Sequence, residues 1–108
     1  MSPVRQQKWV HCVQIDEVRL AEARQMEKIF RALFAPYSSA ITHITVDHYH
    51  EWQFKFCVEG WYGPADIAHL SAKLPALARK SYRGTVKNIR SWDSAAMAPG
   101  LKAQFRTV

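Results

Sequence analysis

Apolar residues recur in this chain at two spacings that alternate along its length, every second position and then about every 3.6. The resulting order is strand, helix, strand, strand, helix, strand. The clearest piece is Trp52 to Glu59, where Trp52, Phe54, Phe56 and Val58 share one parity and Gln53, Lys55, Cys57 and Glu59 share the other. That alternation predicts a strand with one dry face. Lys8 to Ile15 alternates in the same way, and Ile41 to His50 precedes Trp52 closely enough to predict a hairpin. Between the first two strands, Ala23, Met26, Ile29, Phe30, Leu33 and Phe34 make a broad helical stripe, with Arg24, Glu27, Lys28 and Arg31 on the other side. Asp16 stands at the expected N-cap with Glu17 in the first turn, and Pro36 ends the helix. Gly60 and Gly63 bracket Trp61 and Tyr62 as a predicted turn, and Pro64 suits the first position of a second helix with Ile67, Leu70, Leu74 and Leu77 on its inner side. Pro75 predicts a kink or break near Leu74. Gly84 then separates this helix from a last strand over Thr85 to Trp92.

Two split β-α-β units in this order define an α+β, ferredoxin-like βαββαβ sandwich, an antiparallel sheet with two helices on one face. The chain of 108 residues is long enough for one apolar core. Residues 1–93 are read as the single domain and residues 94–108 as an irregular C-terminal tail that is mobile or docks through Leu101 and Phe105. The first residues lack the apolar stretch of a signal peptide, no run approaches the length of a membrane span, and the expected location is cytoplasmic. A reducing compartment keeps Cys12 and Cys57 as thiols. The first and third strands are neighbours in this fold, so the two cysteines fall close together, and packing cysteines are the simpler reading than a zinc site, which needs more ligands.

Charge is the global feature that points to a partner. Residues 1–60 carry seven Lys or Arg and seven acids. From residue 61 onward eight Lys or Arg face only Asp66 and Asp93, which accounts for the whole net charge of +6. Arg79, Lys80, Arg83, Lys87 and Arg90 form the densest part, a pattern that attracts phosphates by counterion release. Aromatics interleave at Trp61, Tyr62, Tyr82 and Trp92, and bases of single-stranded nucleic acid stack on such rings. The plainer readings are a solvated basic face and ordinary core aromatics. RNA-recognition motifs share the element order, but Glu51 to Val58 lacks the glycine of their third-strand signature, and membership is not assigned.

His48-Tyr49-His50, with His43 upstream, is the sharpest local constellation. Two histidines at i and i+2 on a strand face one side. The triplet is similar to the metal-holding pair of rolling-circle replication initiators and related single-strand nucleases, a resemblance that implies a tyrosine nucleophile, for which Tyr82 is the candidate. Here Asp47 and Glu51 replace the apolar flanks, Tyr82 falls at a helix end, and exposed histidines at a hairpin tip explain the triplet without a metal. His69 is expected on a helix, partly exposed, and His11 as a hydrogen-bonded core residue. No glycine-rich phosphate loop or nucleophile motif is present, so no catalytic residue, metal or cofactor is assigned.

The sequence therefore predicts a non-enzymatic binding module. Its partner is nucleic acid or an acidic or ribonucleoprotein surface, contacted through Arg79, Lys80, Arg83, Lys87, Arg90, Tyr82 and Trp92, without a membrane. The alternatives are a small inhibitor or adaptor acting by protein contact through the sheet's other face or an edge strand, and the metal-dependent nuclease. A second copy of the chain is a candidate occupant of that other face, making a homodimer.

Overall fold

In the computed structural model, which describes residues 6–49 and 53–95, the expected element order is present. Strand β1 (Gln7–Asp16) leads to helix α1 (Leu20–Phe34), strands β2 (Ile41–Tyr49) and β3 (Gln53–Tyr62), helix α2 (Pro64–Ser81) and strand β4 (Ile89–Ala95). The strands form one antiparallel sheet in the order β2-β3-β1-β4, the ferredoxin-like arrangement with β1 and β3 at the centre. No helix among the described residues is long and apolar enough to cross a membrane.

The core lies between one face of the sheet and the two helices. Phe30, Phe54 and Phe56 are fully buried. Phe30 lies 6.1 Å from Phe54 and 5.4 Å from Phe56 between ring centroids. Leu33 is half-buried and packs against the same cluster. From α2, Leu70, Leu74 and Ala78 enter the core at helical spacing, flanked by half-buried Ile67 and Leu77. Ile29 departs from the expected stripe of α1: the buried line is Ala23, Met26, Phe30 and Phe34 at three- and four-residue spacing, and Ile29 falls beside it, 38% exposed.

Several element ends differ from expectation. Asp16 is not an N-cap: it ends β1, its carboxylate accepts hydrogen bonds from Gln14, Gln53 and Arg90, and Arg19 caps α1 without a side-chain bond. Glu17, with φ at +60°, turns the chain between them and lets Val18 bury its side chain. Gly60, Trp61 and Tyr62 continue β3 rather than forming a turn. The Trp61 amide donates to the Ala40 carbonyl at 2.9 Å, and a side chain at 60 would collide with that carbonyl and the Tyr62 ring, so glycine lets the chain pass. Pro75 does not break α2, which runs through it. Only one helical bond is forfeited, while buried Leu70, Leu74 and Ala78 anchor the helix on both sides of it. Residues Val86–Asn88 form a 3-10 turn, so β4 begins at Ile89 and ends at Ala95, past the expected boundary at residue 93. The rest of the segment read as a tail, with Leu101 and Phe105, and also His50, lie outside the described residues.

The cysteines are the main correction. Register places Cys12 opposite Cys57 across β1 and β3, with Cα atoms 4.2 Å apart, and the two form a disulfide rather than a pair of packing thiols. They lie on the face turned away from the helices. The centre of that face is not wet, as one-sided alternation had implied: Cys12, Gln14, Lys55 and Glu59 are 2 to 3% exposed.

Candidate anion-binding surface

The end of α2, the loop after it and the 3-10 turn carry the basic residues, and the structure divides them into two groups. Arg79 and Lys80 occupy the last turn of α2, where positive charge also complements the helix dipole. Arg83 follows in the loop and Lys87 lies in the 3-10 turn. All four are exposed, and among the described residues no acid makes an ion pair with any of their side chains. The backbone amide of Arg83 donates to Glu22 Oε1 at 3.3 Å, which fixes the loop without engaging the guanidinium.

Arg90 and Tyr82 belong to the frame that holds this segment. Arg90 Nη2 sits 3.0 Å from Asp16 Oδ2, while Asp16 Oδ1 accepts from Gln53 at 2.8 Å and Gln14 at 3.1 Å. Burial opposes ionisation of Asp16, but the two amides and the guanidinium outweigh it and hold its carboxyl below the usual range. Tyr82 is 7% exposed. Its hydroxyl is shared between the carbonyls of Asp16 at 2.9 Å and Glu17 at 3.2 Å, and accepts from Asn88 Nδ2 at 3.2 Å. A side chain at Gly84 would overlap the Tyr82 ring, so the loop wraps the ring closely and leaves it no free face for a base. The same buried hydroxyl is poorly placed to serve as a nucleophile. Asn88 also donates to Glu17 Oε2 at 2.9 Å. Acids from the first half of the chain thus sit beside residues 83–90, and the charge division seen along the sequence is less complete in space.

Trp92 lies on the opposite side of the sheet from the helices, facing the Cys12 position in register. It is half-buried, with Lys55 Nζ 5.2 Å from its ring centroid, a cation–π contact. It is therefore not grouped with the basic residues of α2. Trp61 is 46% exposed at the end of β3.

His48 stacks on Phe54 at 5.3 Å and lies 3.8 Å from Glu27 Oε1, so it packs on the helix side of β2. His43 Nδ1 is 3.9 Å from Glu59 Oε1, which Lys8 Nζ approaches to 3.2 Å. Among the described residues no three His, Cys, Asp or Glu side chains converge as a metal site would require.

His11 is the polar residue whose environment the sequence concealed. It is 1% exposed, lies against the rings of Phe34 and Tyr62 at 6.0 and 5.4 Å, and neither ring nitrogen has a hydrogen-bond partner among the described residues. It is a core histidine, as expected, but without the expected bond. Burial pushes its pKa down from 6.5 to about 4, partly countered by the charge of Asp93. Burial, with the charge of Glu59, likewise pushes the Tyr62 phenol up to about 12. Because the folded state favours neutral His11, its contribution to stability is complete above pH 6.5 and is lost as pH falls toward 4. At about 1.4 kcal/mol per pH unit, wild-type protein is expected to lose about 2 to 3 kcal/mol between pH 7 and pH 4.5 through this group. Urea melts at the two pH values check it: His11→Leu should show much less of that fall, and an equal fall would assign the acid sensitivity elsewhere.

No family model matches the chain, and no curated protein matches it. Among solved structures, the uncharacterized protein TM1266 from Thermotoga maritima is similar at 14% identity, over 85% of this chain and 99% of that one, with a TM-score of 0.49. That likeness is too loose to carry an argument.

Proposed function

We propose that this chain is a non-enzymatic binding module that contacts an anionic partner, foremost single-stranded or structured nucleic acid, through Arg79, Lys80, Arg83 and Lys87. The observation that supports this reading is that the four side chains are exposed and without ionic partners among the described residues, on a segment fixed by Tyr82, Arg90 and Asn88. Arg90, by contrast, is paired with Asp16. A surface of exposed cations over a fixed backbone suits phosphates, which are bound largely by electrostatics and counterion release. An acidic protein or ribonucleoprotein surface would use the same residues.

The test is salt dependence. Binding of labelled single-stranded RNA is expected to weaken linearly in a plot of log K against log salt, by about 0.7 per phosphate neutralised. Salt-independent binding would transfer the function to an adaptor or inhibitor acting through apolar contact. As to location, a disulfide is at odds with a reducing cytoplasm. Alkylation and mass spectrometry of Cys12 and Cys57 taken from the host will decide between a cytoplasmic and an oxidising compartment.

A further inference from the structure

A cleft between α2 and the β1–β4 edge has no part in the basic surface and has chemistry of the opposite sign. It encloses about 180 Å³, including its opening to solvent, and is lined by His11, Ser71, Leu74, Pro75, Ser91 and Asp93, among others. The cleft has room for a group about the size of one water molecule. Asp93, an exposed residue of the lining, is set in place: Trp9 Nε1 donates to its Oδ2 at 3.0 Å and Ser71 Oγ donates to the same oxygen at 2.7 Å. Oδ1 has no partner among the described residues. The Ser71 hydroxyl has committed its proton to Asp93 and offers the cleft only lone pairs. Pro75, four residues after Ser71, has no amide to give the Ser71 carbonyl, so one bond of α2 is missing where the helix borders the cleft. His11, buried and without a hydrogen-bond partner, lines the same space and is the cross-strand neighbour of Asp93.

These groups surround one negative charge with the lone pairs of Ser71 and His11, and the neutral donors beside them are the second ring nitrogen of His11 and the Ser91 hydroxyl. An anion is repelled, and a metal ion lacks the convergence of three His, Cys, Asp or Glu side chains among the described residues. A primary ammonium is small, positively charged and carries three donors with no acceptor of its own. We propose that this cleft binds a primary ammonium group, with Asp93 as its ion pair, His11 as a further acceptor, and Leu74 and Pro75 against the carbon that bears it. A small free amine and the lysine side chain of a protein segment share this chemistry.

The proposal is tested by following the His11 ring and Trp9 indole resonances by NMR while methylammonium chloride is added. Tetramethylammonium chloride at equal ionic strength supplies the charge without donors. Saturable shifts are expected with methylammonium at about millimolar half-saturation, and none with tetramethylammonium. Asp93→Asn keeps an oxygen for Trp9 and Ser71 while removing the charge, and is expected to weaken the binding about tenfold or more. His11→Leu, read at Trp9, is expected to weaken it less while leaving Asp93 untouched. Putrescine and Nα-acetyl-lysine amide then separate the sources, the tighter ligand marking a free diamine or a protein lysine. Shifts that never saturate, that are equal for the two salts, or that persist unchanged in Asp93→Asn would overturn the proposal.

Discussion

Phe56→Ala is expected to destabilise the protein by about 3 to 5 kcal/mol, a large share of the 5 to 15 kcal/mol typical of a domain. Phe56 is fully buried in the centre of the core, with Phe30 on α1 5.4 Å away, Phe34 6.2 Å away and Phe54 6.5 Å away between ring centroids. Truncation removes the ring from contact with both the sheet and α1. The surrounding rings are held by α1 (Phe30, Phe34) and by β3 itself (Phe54), so the space cannot collapse fully and a cavity cost adds to the lost burial. Each kcal/mol should lower the melting temperature by about 4 to 8 °C in a domain near this size. A thermal melt within a few degrees of wild type would show that the faces of β3 and α1 have been assigned wrongly.

Removing the disulfide is expected to have an effect of similar size through a different state. Cys12 and Cys57 are 45 residues apart, and cross-linking a loop of that length restricts the unfolded chain by about 4 kcal/mol in the chain-entropy account, within a usual range of about 2 to 5. The bond joins the two central strands, which are already paired along their length, so the folded sheet itself should persist without it. Denaturant melts with and without a phosphine reductant, and of the Cys12→Ala/Cys57→Ala double variant, should show the same loss in both cases. Unchanged stability on full reduction, verified by alkylation, would contradict the restriction of the unfolded chain by this bond.

The fold was legible because its signals are redundant. The parity of Trp52 to Val58 and the stripe from Ala23 to Phe34 each specify an element type and its buried face, and helix–sheet packing requires both to agree. Local chemistry alone was less reliable. Asp16 has the composition of an N-cap, yet Gln53 and Arg90, which compete for its carboxylate, are distant in sequence and meet it only when β1 pairs with β3 and β4. Pro75 has the composition of a break, but burial of the residues around it decided otherwise. Tyr82 looked like part of an exposed aromatic and basic surface because nothing near it in sequence reveals the carbonyls of Asp16 and Glu17 that bind its hydroxyl. The disulfide was a matter of register: parallel expectations for β1 and β3 place Cys12 and Cys57 near each other, and a single-residue slip would separate them onto opposite faces. The cleft around His11 could not be found from spacing, since His11, Ser71 and Asp93 come from three elements and are related only by the packing of α2 over β1 and β4.

The measurement that bears most directly on the anion-binding account compares wild type with a variant in which Arg79, Lys80, Arg83 and Lys87 are all glutamine. Arg90 stays, because its bond to Asp16 belongs to the frame, and circular dichroism and melting should confirm an unchanged fold. Titration of labelled single-stranded RNA and DNA at two salt concentrations should show wild-type binding that weakens with salt. In the variant, binding should be lost or greatly weakened, with the slope reduced by about 0.7 for each phosphate contact removed from a single strand. No binding by wild-type protein at either salt, or equal affinity and slope in the two proteins, would contradict the account.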